Sequence, residues 1–358
     1  MVTILTQPRL SPYSLPMRLP LLSFLSLVTM VTLQAHPAHD ESRPPTAAAM
    51  SEAARNFLDS LDEKQRTAAT GDLTHEARTQ WTYLPGDRKG IMLEAMSEAQ
   101  RQKAHALLQS ALSDRGLWQA TTIMQLEQVL RDLGGGAHRD PDLYAVAVYG
   151  EPKSGHPWAW RIEGHHLSLH FTVAEDGAIS DSPAFLGANP ARVPSGDLKG
   201  TRALGKEEDR GRELMLDLDE KQQQQARIGD KAPRDIVTRS KSRIEREAPQ
   251  GIAFSELNSE QQEALQSIIR LYIDRFAPDL AEADWQLVTA HDFQDIHFAW
   301  AGSLEPDQRH YYRIQGEAFL IEFDKVQKNH VHSVLRFFGR DFGRDFLKEH
   351  HEAHTHEE

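Results

Sequence analysis

The sequence predicts an α+β fold built twice over, with helices opening each copy and antiparallel strands closing it. Three observations carry that expectation. A helix-start signature occurs four times, in two pairs; a strand region follows each pair; and an Arg-Ile-x-Gly hairpin follows each strand region. The same elements in the same order, twice, point to an internal duplication. The two sets of strands are expected to join into one sheet.

The first element is a targeting segment. Arg18 precedes an apolar stretch, Leu19 to Leu33, that is too short and too rich in Ser and Thr to span a membrane but suits a secretory signal. Residues 1–35 are therefore expected to be removed, and 36–49 to form a polar leader. Residues 50–350 then form the duplicated domain, with copies at about 50–175 and 206–337, and 351–358 form a His/Glu-rich tail. This reading places the protein outside the cytoplasm, secreted or periplasmic, with no membrane insertion once the signal is gone.

The helices announce themselves by their caps. Leu61-Asp62-x-x-Gln65, Met96-Ser97-x-x-Gln100, Leu218-Asp219-x-x-Gln222 and Leu257-Asn258-x-x-Gln261 each set a capping residue three before a Gln. The cap oxygen takes an orphan N–H of the first turn, and the Gln reaches back to the N–H of the cap. Strands follow at "DLYAVAVYG" and "DIHFAWAG", and then the hairpins. Trp160-Arg161-Ile162-Glu163-Gly164 matches Tyr312-Arg313-Ile314-Gln315-Gly316, and Leu167-x-Leu169-x-Phe171 matches Phe319-x-Ile321-x-Phe323. A two-residue turn at Gly164-His165, the Gly supplying a positive φ, sets Glu163 opposite His166. Strand alternation then puts Trp158, Trp160, Ile162, Leu167, Leu169 and Phe171 on one face. Arg161, Glu163, His166, Ser168 and His170 share the other, as do Arg313, Gln315, Glu322 and Asp324 in the second copy.

The composition narrows the chemistry. A formal charge of -13 argues against a nucleic-acid partner, which would require a basic footprint. The chain has 18 His and no Cys, so disulfides and thiolate ligands are excluded and any metal must be held by nitrogen and oxygen. There is no His-Glu-x-x-His, phosphate-binding Gly loop, dinucleotide fingerprint or Gly-x-Ser-x-Gly elbow.

The strongest metal-like spacing is His330-x-His332, because strand residues two apart point to one side at about 7 Å. Glu322 and Asp324 on the preceding strand, and His170 as the counterpart of Glu322, complete a candidate ligand set for zinc, iron or copper. Asp341, Gln327 and Arg336 are the nearest candidates to support the imidazoles. The alternative is that these histidines simply hydrogen-bond within a polar interior. Arg161 and Arg313, equivalent in the two copies, read either as a clamp for an anionic small-molecule ligand or as structural ties across the sheet. Glu163 with His166 reads as a metal-free acid/base pair. The Gly/Pro-rich run "FLGANPARVPSGDLKG" is read as a long loop able to cover a site. The functional expectation is an exported metal-binding protein, a metal-dependent enzyme of unknown substrate included. A non-catalytic binder of an anionic ligand or protein partner is the alternative.

"PWAWRIEGHHLSLHFTV", "FLGANPARV", "HYYRIQGEAFLIEFD" and "NHVHSVLRFFGRDFGRDFLKEH" resemble the family catalogued as domain of unknown function 3500, over roughly residues 50 to 350. The resemblance implies one fold over most of the mature chain and supplies no activity. Members usually carry Trp where Leu335 stands and Asn where His170 stands. The second departure argues against His170 as an essential ligand.

Overall fold

A computed structural model describes residues 46–344 apart from His75 and Ala137. The signal segment, most of the leader and the His/Glu tail lie outside the described residues. Residues 46–49, read as the end of the leader, are instead the first turn of a helix. Thr46 continues the buried stripe of Met50, Ala54 and Phe57 backwards, and the Ala residues that follow it are the best helix formers.

The first copy runs α1 (Thr46–Leu58), α2 (Glu63–Ala69), β1 (Thr70–Gly71), β2 (Ile91–Met92), α3 (Glu98–Ala111), α4 (Asp114–Leu130), β3 (Tyr144–Gly150), β4 (Trp158–Gly164), β5 (Leu167–Val173), β6 (Ile179–Ser180) and β7 (Ala184–Ala188). The second runs α5 (Gly205–Asp217), α6 (Glu220–Ala226), β8 (Arg227–Gly229), β9 (Ile252–Ala253), α7 (Ser259–Ile273), α8 (Pro278–Thr289), β10 (His297–Gly302), β11 (His310–Gln315), β12 (Phe319–Gln327) and β13 (His330–Phe337). Among the described residues each half therefore has four α-helices, and the cap signatures mark the second and third of each. The fold is α+β, with one shared sheet.

The strand order β3-β4-β5-β7-β13-β12-β11-β10 reads as a palindrome about the β7/β13 junction. The two halves meet there antiparallel, from Ala184 opposite Leu335 to Ala188 opposite Val331. A pseudo-twofold axis thus passes through this seam. The short edge strands obey it too, with β1 parallel to β3 and β8 parallel to β10.

All four predicted capping boxes form, with both of their bonds present. Their glutamines do more than cap. Gln65 and Gln100 exchange amide hydrogen bonds, and Gln222 and Gln261 do the same. Gln100 also donates to the Ser60 carbonyl at 2.8 Å, and Gln261 to that of Asp217 at 2.9 Å. One residue type per helix therefore caps its own helix and docks it on its neighbour, identically in each copy.

The hairpins share one register. Trp160 faces Phe171 as Tyr312 faces Phe323, and Arg161 faces His170 as Arg313 faces Glu322. The turn differs from expectation. It is His165-His166, with Glu163 opposite Ser168, so the pairing moves by two residues and every side chain keeps its face. Gly164 does not supply the positive φ. A Cβ there would lie 2.1 Å from the Tyr144 ring, which is why the position is glycine. The left-handed residue is His166, at φ 65°.

The face bearing Trp158, Trp160, Ile162, Phe319, Ile321 and Phe323 packs on the helices as the main core. The opposite, ionisable face is roofed by two irregular segments in equivalent places, residues 72–90 and 230–251. A second, smaller core forms where these roofs meet over the seam, from Trp81, Tyr83, Phe185, Ile236, Val334 and Phe342.

Candidate metal centre

The seam brings a hairpin tip from the first copy beside the longest hairpin of the second. Strand alternation sets His330 and His332 on one side of β13. The tip is clamped from both flanks, the His166 N–H donating to the Tyr83 carbonyl at 3.1 Å and its carbonyl accepting from Gly187 N–H at 2.7 Å. A left-handed non-glycine residue is costly, of order 1–3 kcal/mol, and persists where its surroundings fix it. Here the clamp aims the His166 ring at the other two. Its Nε2 lies 2.8 Å from Nε2 of His330, which in turn lies 2.9 Å from Nε2 of His332.

Three imidazole nitrogens of three residues therefore converge. Gly187 permits this, because a Cβ at that position would meet the His332 ring at 2.9 Å and the His166 ring at 3.1 Å. Behind the cluster, Nδ1 of His332 lies 2.7 Å from Oδ1 of Asp235, and the Tyr83 hydroxyl donates to the other oxygen at 2.9 Å. A carboxylate there must accept, so His332 carries its proton on Nδ1 and presents a lone pair at Nε2. Tyr83 and Phe185, stacked at 4.0 Å, meet the His332 ring edge-on.

Burial favours the neutral form of two of the three imidazoles, His166 and His330. Burial pushes His166 well below its usual range, with the neighbouring histidines adding to the effect. Burial, then His332, pushes His330 down to about 3. Burial opposes the charge of Asp235, yet the bond from His332 holds this carboxyl below its usual range. Imidazole nitrogens sharing one point, one ring backed by a carboxylate, are the donor set a transition metal takes. A tetrahedral ion with bonds of about 2.0–2.1 Å would spread the nitrogens to roughly 3.3 Å.

A second group adjoins the first. Glu127 of α4, His165 and His166 could also surround an ion. There, however, the Arg139 guanidinium already lies 2.5 Å from Nδ1 of His165 and 3.5 Å from Glu127. A cation in that position would face another cation. Glu127 accepts from or pairs with His165 at 2.5 Å, and the His165 ring packs on that of His166 at 3.6 Å, so this group props the turn.

The other predicted site residues lie elsewhere. Glu322 is taken up by the roof, accepting from the Val237 N–H at 2.6 Å, the Thr238 N–H at 3.1 Å and the Tyr311 hydroxyl at 2.9 Å. Asp324 faces the same side as His332, but both its oxygens are buried without a hydrogen-bond partner. Burial, then the charge of Asp235, pushes its carboxyl up to about 8, which leaves it a neutral acid at pH 7. His170 bonds Ser168 at 2.9 Å and lies 3.9 Å from Glu163. Glu163 is held by Ser168 at 3.0 Å, with Arg88 at 3.7 Å and Arg161 at 3.8 Å, and is not paired with His166. Burial raises its pKa despite these cations.

Arg161 and Arg313 are occupied by the roofs. Arg161 donates to the carbonyls of Ala77 at 2.9 Å and Gln80 at 2.5 Å, while Arg313 reaches Gln315 at 2.6 Å and Glu247 at 3.7 Å. Asp341 and Arg336 pair with each other at 2.7 Å, and Gln327 is exposed beside the hairpin end. The supporting carboxylate is Asp235, which lies in a loop without periodicity and 97 residues from its imidazole. "FLGA", expected to open a loop, belongs to strand β7 at the seam, and its Gly is the floor beneath two of the rings.

The group of His166, His330 and His332 could thus hold a metal ion. No curated protein and no solved structure gives a significant match to the chain. A family described as "Protein of unknown function (DUF3500)" matches residues 44–344, which take in every described residue, and the protein belongs to that family.

Proposed function

We propose that this is an exported metal-binding protein whose metal is held by His166, His330 and His332, with Asp235 fixing His332 from behind. The supporting observation is the approach of three Nε2 atoms to within 2.8 and 2.9 Å of one another in sequence. Imidazole nitrogens at that spacing can share at most one proton per contact, whereas an ion satisfies all three at once. The ligand set suits zinc, iron or copper(II), all of which accept imidazole. Three His ligands leave a position for water or substrate, the arrangement of catalytic zinc rather than of closed structural sites. The half-buried His330 gives that position a route to solvent. Export rests on Arg18 and the apolar run behind it; among the described residues no helix is long and apolar enough to cross a membrane.

The test is elemental analysis of untagged protein after dialysis, comparing the parent with His330→Ala/His332→Ala. Both retain the C-terminal histidines, so any loose binding there cancels. One equivalent of metal in the parent and none in the folded double variant is the expected result. Equal metal content in the two sinks the proposal.

A further inference from the structure

On the helix side of the sheet, at the same end as the histidines, an open cleft of about 480 Å³ lies between α5, the β12–β13 turn and the strap 191–194. Lys325 points into it, whereas the neighbouring Asp324 points to the histidine side, as strand alternation requires. The lining carries five basic side chains, Arg192, Arg202, Arg212, Lys325 and Lys328. Against them stand three acidic ones, Glu208, Asp209 and Asp307. That is a local positive excess on a chain whose formal charge is -13.

Part of this charge is built into a wall. Lys325 reaches Glu208 at 2.5 Å, both of them buried, and Arg202 grips Asp209 through two bonds of 2.6 and 2.9 Å. Arg212 meets Asp209 at 3.2 Å, and its buried Nη1, 4.0 Å from Glu208, has no hydrogen-bond partner. Three cations thus share two carboxylates, and a donor is left over. Arg192 and Lys328, on the rim, have no carboxylate partner among the described residues. The backbone of Arg192 is tied to the hairpin through Asn329, the residue after Lys328, whose side chain takes the Arg192 N–H at 2.7 Å and donates to the Arg192 carbonyl at 2.9 Å.

We propose that this cleft is a binding site for a small organic dianion, a phosphate monoester or a dicarboxylate, separate from the metal centre. Its volume is that of a small-molecule pocket. The fixed cations of the wall supply orientation without reorganisation, and the two rim cations close on the exposed side of the ligand. Charge-assisted bonds to an orphaned guanidinium N–H are where a doubly charged oxyanion gains over a neutral polyol of the same size.

The experiment titrates the purified full-length protein with inorganic phosphate, succinate and, as a neutral control, erythritol, by calorimetry at low salt. Saturable binding of phosphate or succinate but not erythritol is expected. Phosphate alone would assign the phosphate source, and succinate alone the dicarboxylate source. The affinity should fall at least tenfold in Arg192→Ala/Lys328→Ala, whose side chains are exposed, and stay unchanged in His332→Ala. Absence of saturable binding to either anion overturns the proposal, as does undiminished affinity in the double rim variant. Loss of binding in His332→Ala alone would move the anion to the metal centre and overturn the cleft.

Discussion

His332 shows what one residue needs before it can act as a ligand. Its ring is aimed by β13, its tautomer by Asp235, and its room by the missing Cβ of Gly187. The last two are separately testable. Asp235→Asn keeps the shape but removes the charge that holds the proton on Nδ1, so metal affinity should fall about 10–100-fold in a competitive chelator titration. An unchanged affinity would mean that Asp235 serves only the Tyr83 contact. Gly187→Ala places a methyl 2.9 and 3.1 Å from two of the rings. The φ at this position suits any residue, so the fold should persist, while affinity should drop on the order of tenfold or more as the ligands are misplaced. An Ala variant that binds like the parent would show that the rings do not rest on this floor. At this scale the sequence was half legible. The His-x-His pair was readable because strand period is local and strict. Asp235 was not, because its loop has no period and its partner is distant in sequence. His166 was placed on the right face for the wrong reason, since Gly164 answers to the Tyr144 ring and not to the turn.

Helices and hairpins were the most legible elements, because a capping box and an alternating strand each state their geometry within a few residues. The roofs 72–90 and 230–251 were illegible for the converse reason. Their conformation is imposed by bonds from the sheet, such as those of Arg161 to loop carbonyls and of Glu322 to loop N–H groups. This also decides how the paired arginines are used: each anchors the roof of its own copy. One element carries a pH-sensitive attachment. Asp284 of α8 faces Asp181, just before β7, and both carboxyls are buried. Burial raises both, Asp181 to about 7, and in Asp284 the charge of Asp181 adds to the effect. The folded state therefore binds more protons than the unfolded chain above pH 3.8, the ordinary value for Asp. The stability this pair contributes is fully present below about pH 4 and lost as pH rises toward about 7. Other groups shift the total, so the informative quantity is the difference between the parent and Asp284→Asn in denaturant unfolding. The advantage of the parent should shrink between pH 4 and 7.5 by on the order of 2–4 kcal/mol. Parallel pH profiles would show that the pair does not hold a proton in the folded protein.

For the whole molecule, the duplication was legible and its geometry was not. Repeated signatures say that a unit occurs twice, but only the β7/β13 ladder says how the units join. Export is the prediction at this scale: material recovered outside the cytoplasm should have an intact mass that lacks residues 1 to about 35, and an uncleaved Met1 or Met17 there would contradict it. The seam has a further consequence. Two free half-chains pairing about a twofold axis would offer every side chain in duplicate, so any site near the axis would appear twice or straddle it. The covalently joined halves escape that rule. The bond from Gly187 N–H to the His166 carbonyl has its counterpart in that from Phe338 N–H to the Ala318 carbonyl, so Ala318 stands where an identical partner would repeat His166. One hairpin tip keeps the imidazole and the other has a methyl group. The backbone keeps the twofold symmetry while the side chains break it: the three imidazoles that converge at the seam come from both halves, and neither half alone supplies them.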